Sequence, residues 1–506
     1  MRSARIRSRA VTAALVAVTG GALLTAPALA VSGDAATTYN FTAKITADGR
    51  ACSGALVAPA WVLTVPSCFP ENPNGGAPAK ATTVVVGRVN LDSTAGITAH
   101  ASKLVPDAGH TVMLVKLDKA ATGITPVPLS TTAPTAGDPV RLAGFGRTAD
   151  EWIPNVLHTS AFTVGTVDAA QLVLHSDTAD ACKGDAGAPA FREAGGLATL
   201  VGVTTSSLQH GCMGIEQPQQ GTTEIRTDTL AAWIGQQTAP AQVQCTPATV
   251  WSERAGGGMW HYVHNDAANG TANWVNPTAA VGSGWLGRML AAPGGIVWDI
   301  HKNTGAADTF ADGVIRRFAW NGTKWTGGGQ VGGGWAPYLT AAYANRVTVD
   351  SQGRIFAINA KGELRVFIWN TATNNWVNGA GVSLGTNWLM YNSITAAGDG
   401  VLYARTPAGA LFRYEYSFAD NRWLQIAEPI GTGWQMFSEI FSPGADILYA
   451  RGSSISTGPV LRWYKRDDNT DTWAPLAADG AGKVVGYGWT TELHVSADPS
   501  ACRLVK

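Results

Sequence analysis

Short runs of alternating apolar and polar residues, separated by Gly, Pro and Asp, make up most of the chain after residue 31. Such runs predict half-buried β-strands, because successive side chains of a strand point to opposite faces. In the first half, helical periodicity is confined to Thr229–Ile234. Many short strands with one terminal helix predict an all-β barrel or sandwich there. The clearest runs are Ser53–Val57, Thr82–Val86, Val112–Leu117, Val140–Gly144, Gln171–Leu174 and Thr199–Thr204.

From Cys245 onward the strand pattern recurs in five copies of about 50 residues, each with roughly four strands. A repeat of that length and strand content predicts a five-bladed β-propeller, with an open solenoid as the alternative. A phrase similar to Gly-x-Gly-Trp marks each copy, and a second tryptophan precedes it. The first series is Trp285, Trp335, Trp388, Trp434 and Trp489, and the second is Trp274, Trp325, Trp376, Trp423 and Trp473.

The two ends of the repeat favour a closed ring. The first copy lacks one strand, since Cys245 stands only a few residues before Val250, whereas the last copy ends with an extra strand at residues 491–495. We therefore predict that the C-terminal strand completes the first blade and that Cys245 forms a disulfide with Cys502. Closing so long a loop stabilises a fold by several kcal/mol in the chain-entropy model.

The first 30 residues follow the order of a secretory signal peptide: a basic stub, an apolar run and a small-residue cleavage site at Ala28-Leu29-Ala30. A membrane anchor is the alternative, but the apolar run, Ala10–Leu24, is shorter than the ~20 residues of a spanning helix. We expect cleavage after Ala30 and a secreted, extracellular protein without membrane insertion. The rest divides into residues 31–237, a short polar linker at 238–244, and residues 245–506.

Charge and cysteine content narrow the possible functions. The 506 residues hold 36 basic and 36 acidic side chains, and loss of four leader arginines turns the formal charge from zero to −4. The lack of a basic surplus argues against a nucleic-acid partner. Six cysteines, an even number in an exported chain, suggest three disulfides without fixing their connectivity. A zinc site is the alternative, but no Cys-x-x-Cys pair occurs, and we expect neither a metal nor a cofactor.

Several phrases between Val31 and about Gly235 resemble the trypsin/chymotrypsin family of serine proteases. They occur in the family's order and spacing, and the terminal Leu230-Ala231-Ala232-Trp233-Ile234 fits its closing helix. The resemblance implies a double β-barrel over residues 31–237, with disulfides Cys52–Cys68 and Cys182–Cys212. The phrases are Cys52-Ser53-Gly54-Ala55-Leu56, Trp61-Val62-Leu63-Thr64-Val65-Pro66-Ser67-Cys68, Val112-Met113-Leu114-Val115-Lys116-Leu117, Ala143-Gly144-Phe145-Gly146-Arg147-Thr148 and Cys182-Lys183-Gly184-Asp185-Ala186-Gly187-Ala188-Pro189.

The same comparison leaves all three catalytic positions without their functional groups. A serine protease needs a hydroxyl nucleophile, an imidazole base and a carboxylate that orients the imidazole. This chain has Ser67 at the histidine position, Thr111 at the aspartate position and Ala186 at the serine position. Removing such a triad costs about six orders of magnitude in rate. We therefore expect no peptidase activity, with an active trypsin-like endopeptidase as the alternative.

Other parts of the family's machinery match residues that are still present. Gly184 and Ala186 stand where backbone N–H groups form the oxyanion hole. Asp180 matches the specificity-pocket carboxylate that selects basic side chains, with a solvated loop aspartate as the alternative. Asp185 matches the carboxylate that pairs with a new N-terminus, so we expect the amine of Val31 to pair with it after leader cleavage. A peptide or protein ligand of this half is therefore a second possible partner.

The second half, Cys245–Lys506, resembles the tachylectin-2-like family of five-bladed lectin propellers. The resemblance rests on repeat length, copy number, the Gly-x-Gly-Trp phrase and a Leu-Tyr-Ala-Arg phrase at residues 402–405 and 448–451. It implies binding of glycans, in particular N-acetylated amino sugars, at sites between blades. Tryptophan faces stack on sugar rings, so Trp285, Trp335, Trp388, Trp434 and Trp489 are candidate binding residues. The alternatives are that these rings only pack blade against blade, and that the propeller is a protein-interaction module without sugar affinity.

Overall fold

A computed structural model describes residues 34–505 apart from 37, 110, 177, 179, 455–457, 468, 469, 475 and 479. The leader and Val31 lie outside the described residues. The first barrel closes in the order β2-β3-β4-β7-β6-β5, and alternate side chains such as Ile45, Leu56 and Val84 fill its interior. Its elements are preceded by a short strand; the bounds are β1 (Asp34–Ala35), β2 (Thr42–Ala47), β3 (Arg50–Ala58), β4 (Trp61–Thr64), β5 (Thr82–Val86), β6 (Ile97–Pro106) and β7 (Met113–Leu117).

The second barrel is also closed, because its β8 pairs with both β9 and β11. The strand order is β8-β9-β10-β13-β12-β11, β1 adds to the outer side of β9, and one α-helix follows. The bounds are β8 (Pro139–Gly144), β9 (His158–Val167), β10 (Gln171–His175), β11 (Pro189–Ala194), β12 (Leu197–Ser207), β13 (Thr222–Arg226) and α1 (Ala231–Thr238). The predicted double barrel is confirmed, as are the disulfides Cys52–Cys68 and Cys182–Cys212.

The second half consists of short antiparallel sheets connected in series. The strands are β14 (Gln242–Cys245), β15 (Ala248–Arg254), β16 (Met259–His264), β17 (Trp274–Val275), β18 (Arg288–Ala292), β19 (Ile296–Ile300), β20 (Ile315–Trp320), β21 (Trp325–Gly332), β22 (Val347–Val349), β23 (Ile355–Ile358), β24 (Leu364–Phe367), β25 (Trp369–Asn370), β26 (Asn375–Trp376), β27 (Val382–Gly385), β28 (Ser393–Ala396), β29 (Val401–Arg405), β30 (Leu411–Ser417), β31 (Arg422–Gly431), β32 (Phe437–Gly444), β33 (Ile447–Ser454), β34 (Gly458–Asp467), β35 (Thr472–Trp473), β36 (Lys483–Tyr487), β37 (Glu492–Ala497) and β38 (Cys502–Val505). Single 3₁₀ turns occur at Pro66–Cys68, Pro293–Gly295, Ala336–Leu339, Trp388–Met390 and Trp434–Met436.

The sheets form a closed ring of five blades. The innermost strands β18, β22, β28, β32 and β37 each contact two others in turn, so that β37 meets both β32 and β18. The first blade has the order β37-β15-β16-β17, which means that the C-terminal strand completes it. Val250 lies opposite Ala497 in this pairing, and Cys245 is bonded to Cys502. The predicted propeller, its closing strand and its closing disulfide are therefore confirmed, and the open solenoid is excluded.

The predicted linker, residues 238–244, includes regular structure at both ends. Thr238 ends α1, and Gln242–Cys245 forms β14, which pairs with β38. The polar alternation of Gln242, Val243 and Gln244 suits a strand exposed on one face, so the low hydrophobicity reflects exposure rather than irregular backbone. Across the described part of the chain, no helix has the length and apolar content needed to cross a membrane.

The fourth and fifth blades contact the first barrel. The Arg422 guanidinium donates to the carbonyl oxygens of Pro78, at 3.1 Å, and Ser102, at 3.4 Å. The Asp471 carboxylate accepts the N–H of Ala120.

Candidate functional sites

The two barrels enclose a cleft of about 980 Å³. The 3₁₀ turn at Pro66–Cys68 brings Ser67 to it, and the loop before β11 brings Lys183, Gly184 and Ala186. The remaining lining includes Lys44, Arg50, Arg147, Trp152, Ile153 and the end of β12 from Thr204 to Ser207. Within the described residues, no histidine, aspartate or glutamate lines this cleft.

Ser67 and Ala186 line the same cleft, whereas Thr111 does not line it. Ser67 is exposed to the cleft, and the methyl group of Ala186 packs against the first barrel's core. The Thr111 hydroxyl donates to the Asp107 carboxylate at 3.1 Å, and that carboxylate also accepts the N–H groups of Thr111 and Val112. Thr111 thus stabilises its own loop, and an alanine side chain at position 186 offers no nucleophile.

The backbone around Ala186 keeps two free donors. Gly184 has φ of 106°, a conformation that favours glycine, and its carbonyl accepts the Ser53 hydroxyl at 3.1 Å. In the described part of the chain, the N–H groups of Gly184 and Ala186 have no hydrogen-bond acceptor. Both residues line the cleft, so these donors are available to an acceptor group of a ligand.

Asp180 is buried and does not line the cleft. Its carboxylate accepts the N–H of Gly221 at 2.9 Å and the N–H of His210 at 3.2 Å. These bonds hold together loops that are distant in sequence. The expectation that Asp180 selects basic side chains finds no support in this position, because the carboxylate is occupied by backbone donors.

Asp185, next to Ala186 in the chain, is also buried. Its carboxylate accepts the N–H groups of Gly146, at 2.8 Å, and Cys182, at 2.9 Å. Burial raises the pKa of this carboxyl to about 6, although both hydrogen bonds and His158 act to lower it. A small pocket beside it is lined by His158 and Thr159, the two residues of β9 that pair with β1. The expected partner, the Val31 amine, is outside the described residues.

A recurring tight turn explains the Gly-x-Gly-Trp phrase. The residue before each tryptophan has φ between 68° and 86°: Gly284, Gly334, Asn387, Gly433 and Gly488. Asn387 is the one residue of the five that is not glycine, but its backbone has the same conformation. Asparagine tolerates this left-handed region better than most other non-glycine residues. The irregular third copy therefore keeps the same turn.

The five tryptophans of this phrase are core residues, with between 4% and 7% of each side chain exposed. Each ring packs on an aromatic side chain of its blade's third strand, with centroids 4.6 to 4.9 Å apart. This corrects the expectation that these rings stack on sugars, because protein atoms already cover their faces. The pairs are Trp285–Phe318, Trp335–Phe367, Trp388–Tyr414, Trp434–Tyr464 and Trp489–Tyr262.

The second series, hereafter the outer tryptophans, links adjacent blades. Each indole N–H donates to a carbonyl of the preceding blade, four positions before the buried tryptophan that packs in the donor's own blade, at 2.7 to 3.1 Å. The outer rings are only half-buried. Their regular spacing was visible in the sequence, but the inter-blade bonds depend on tertiary structure. The pairs are Trp274–Val485, Trp325–Val281, Trp376–Val331, Trp423–Leu384 and Trp473–Ile430.

Comparison with known proteins agrees with both halves. Residues 30–234 match the family model described as Trypsin, and residues 254–494 match the model described as Tachylectin. The chain is also similar to the solved structure of neuropsin, described as a serine protease expressed in the limbic system of mouse brain. That similarity has 20% identity and a TM-score of 0.33, over 39% of this chain and 94% of neuropsin. The chain thus joins a trypsin-like region to a tachylectin-like region, as the sequence motifs predicted.

Proposed function

We propose that this protein is an exported, non-catalytic serine-protease homologue that binds glycans through its propeller. The observation that carries the first part is the chemistry of the cleft. Ser67 and Ala186 line it, Thr111 does not, and no described lining residue is a histidine or an acid. A serine protease cleaves a peptide bond with a nucleophile that a base activates near neutral pH. Position 186 provides no such nucleophile, and the described lining contains no histidine to act as the base.

Export is supported by the leader pattern and by the three disulfides, which persist in oxidising compartments. The disulfides lie in both halves, so both halves suit the same compartment.

A peptidase assay tests the non-catalytic part. The mature protein is expected to give no turnover of a fluorogenic arginyl peptide and no labelling by a fluorophosphonate probe. The variant Ser67→His/Thr111→Asp/Ala186→Ser serves as the matched control, because it supplies histidine, aspartate and serine at the three matching positions and is expected to react with the probe. Turnover by the unmodified protein that a serine-protease inhibitor abolishes would contradict the proposal.

Glycan binding is proposed at the outer tryptophans of the first three blades. A half-buried indole held by a hydrogen bond presents a fixed apolar edge, and exposed amides beside it suit sugar hydroxyl and acetamido groups. Asn273 stands beside Trp274 and Asn375 beside Trp376, and both amides are exposed. Trp423 follows Arg422, which contacts the first barrel, so this fourth-blade ring lies beside the contact.

Two equivalent substitutions separate a binding role from a structural one. Trp376→Ala and Trp423→Ala each remove one outer ring and one inter-blade hydrogen bond. Binding to chito-oligosaccharides, measured by calorimetry, is expected to weaken in Trp376→Ala and to be unchanged in Trp423→Ala. Equal loss in both variants would assign the effect to propeller stability and contradict this placement of the sites.

A further inference from the structure

The barrel cleft is lined by positive charge, and among the described residues no acid of its lining neutralises that charge. Lys44, Arg50, Arg147 and Lys183 line it, and no acid lines it among the described residues. Arg50 is paired at the rim with Glu71 at 2.7 Å. The other three have no ion pair in the described part of the chain, and the acid that acts electrostatically on Lys44 is Glu151, outside the lining.

Arg147 is the most deeply buried of these cations, because only 8% of it is exposed. One of its terminal nitrogens donates to the Gln209 side chain at 2.8 Å, while Nε has no acceptor among the described residues. Its guanidinium lies 5.0 Å from the ring of Trp152, a side chain that is 58% exposed. A buried cation without a carboxylate partner is costly, and an anionic ligand relieves that cost.

The cleft also offers an open strand edge. From Thr205 to Ser207, β12 pairs with β13 on one side, and in the described structure no strand covers the other side, which faces the cleft. An extended peptide can add to such an edge through main-chain hydrogen bonds. The free N–H groups of Gly184 and Ala186 lie in the same cleft. A polysaccharide has no main chain of alternating donors and acceptors to match this edge.

We propose that the cleft binds an extended acidic peptide segment without cleaving it. Carboxylate side chains of the peptide meet Arg147 and Lys183, its backbone pairs with the edge at Thr205–Ser207, and apolar side chains contact Trp152 and Ile153. This inference rests on the proposed lack of peptidase activity, since a bound segment must survive. A free carboxylate at position 180 would favour basic peptides. Here the Asp180 carboxylate already accepts two backbone N–H groups and the charged lining residues are cations, so we expect a preference for acidic peptides.

The test is fluorescence anisotropy with the full mature chain and a labelled peptide of alternating Glu and Val. The matched ligand is the same peptide with Gln for Glu, and a heparin-derived oligosaccharide is the competitor from the other class of polyanion. The Glu peptide is expected to bind at least about tenfold more tightly than the Gln peptide. Its affinity is expected to fall as the salt concentration is raised. Mass spectrometry of the peptide after incubation is expected to show it intact.

Variants locate the site. Lys183→Gln is expected to weaken Glu-peptide binding about fivefold, because Lys183 is exposed to solvent. Arg147→Gln is expected to weaken it at least about tenfold, because the Arg147 side chain is buried. Trp152→Ala alters an exposed ring and keeps the test valid if Arg147→Gln does not fold. Lys361→Gln, an exposed propeller lysine with the same charge change, is the control and is expected to bind normally.

Three results would overturn the inference: equal affinity for the Glu and Gln peptides, normal binding by both Lys183→Gln and Trp152→Ala, or tighter binding of the heparin oligosaccharide than of the Glu peptide. The last result would assign the cleft to anionic sugars. Cleavage of the peptide would instead overturn the proposed lack of activity, so the two failures are distinguishable.

Discussion

The indole N–H of Trp274 donates to the carbonyl oxygen of Val485 at 2.7 Å, across the junction between the first and fifth blades. The equivalent bond joins each of the four remaining pairs of adjacent blades. The junction of the two chain ends therefore has the same hydrogen bond as the rest of the ring. Closure therefore rests on this bond, on the pairing of β37 with β15 and on the disulfide Cys245–Cys502.

Removal of the indole donor tests its contribution. Trp274→Phe keeps an aromatic ring but leaves the Val485 carbonyl without this donor, so the free energy of unfolding is expected to fall by about 1 kcal/mol. Denaturant unfolding followed by tryptophan fluorescence measures it. Trp260→Phe is the matched control: this ring lies in the same blade, 4.1 Å from the Arg254 guanidinium, and within the described residues its indole N–H makes no hydrogen bond to another blade. Equal losses in the two variants would contradict a specific role for the hydrogen bond.

The closing disulfide is expected to contribute more than those of the barrels. It spans 257 residues, whereas Cys182–Cys212 spans 30. In the chain-entropy model, Cys245→Ser/Cys502→Ser loses about 5.5 kcal/mol and Cys182→Ser/Cys212→Ser about 3.6 kcal/mol. Thermal melting of the two double variants gives the order. A smaller loss for the propeller variant would mean that the unfolded ring remains compact without the bond.

The left-handed turn predicts a difference between two substitutions at one site. A Cβ at Gly433 meets no atom within 4 Å, so backbone strain alone decides the effect. Gly433→Val is expected to lower the free energy of unfolding by about 1–2 kcal/mol. Gly433→Asn is expected to cost less than half of that, because Asn387 already holds this conformation in the third blade. A melting temperature equal for the two variants would contradict this explanation.

The pH dependence of stability tests the proposed Val31–Asp185 pair. Without a partner, burial raises the pKa of Asp185 to about 6, so its stabilising contribution is present at low pH and lost as pH rises through 6. An amine at Asp185 reverses that sign, because it holds the carboxylate ionised. We therefore expect Asp185→Asn in the mature chain to lose about 3 kcal/mol at neutral pH.

Melting curves of Asp185→Asn between pH 4 and pH 8 separate the two cases. A destabilised variant at neutral pH supports the pair. A melting temperature that is unchanged or raised at neutral pH would show a buried carboxyl without its amine. Asp180→Asn is the control, because Asp180 is also buried and its carboxylate already accepts the N–H groups of Gly221 and His210.

The sequence was sufficient for both folds because their signals are local and repeated. Strand alternation, glycine turns and a fivefold repeat predicted the barrels and the ring, and the missing and extra strands at its ends predicted β37 beside β15. The choice between the two tryptophan series was not accessible, because burial of Trp434 depends on Tyr464 from another strand. Likewise, the carboxylate of Asp180 accepts a hydrogen bond from the N–H of Gly221, a residue distant in sequence, and this partner could not be predicted from the sequence.

The Arg147 environment shows the same limit within the cleft. The phrase containing Arg147 was part of the family resemblance, yet nothing in its neighbours revealed that the side chain is buried without an acid. That property follows from which loops the two barrels place around it, including those of Trp152 and Gln209. Charge counted along the sequence gave a nearly neutral chain, whereas the fold gathers uncompensated cations in one cleft.

Glycan profiling of the full mature chain measures the proposed glycan binding itself. We expect binding to polymers of N-acetylated amino sugars, with higher apparent affinity for immobilised polymer than for free oligosaccharide, because the proposal places a site on several blades. The binding is expected to persist in Lys183→Gln, since the cleft is separate from the outer tryptophans. Silence across all glycans by a folded protein would contradict the account and leave the propeller as a protein-interaction module.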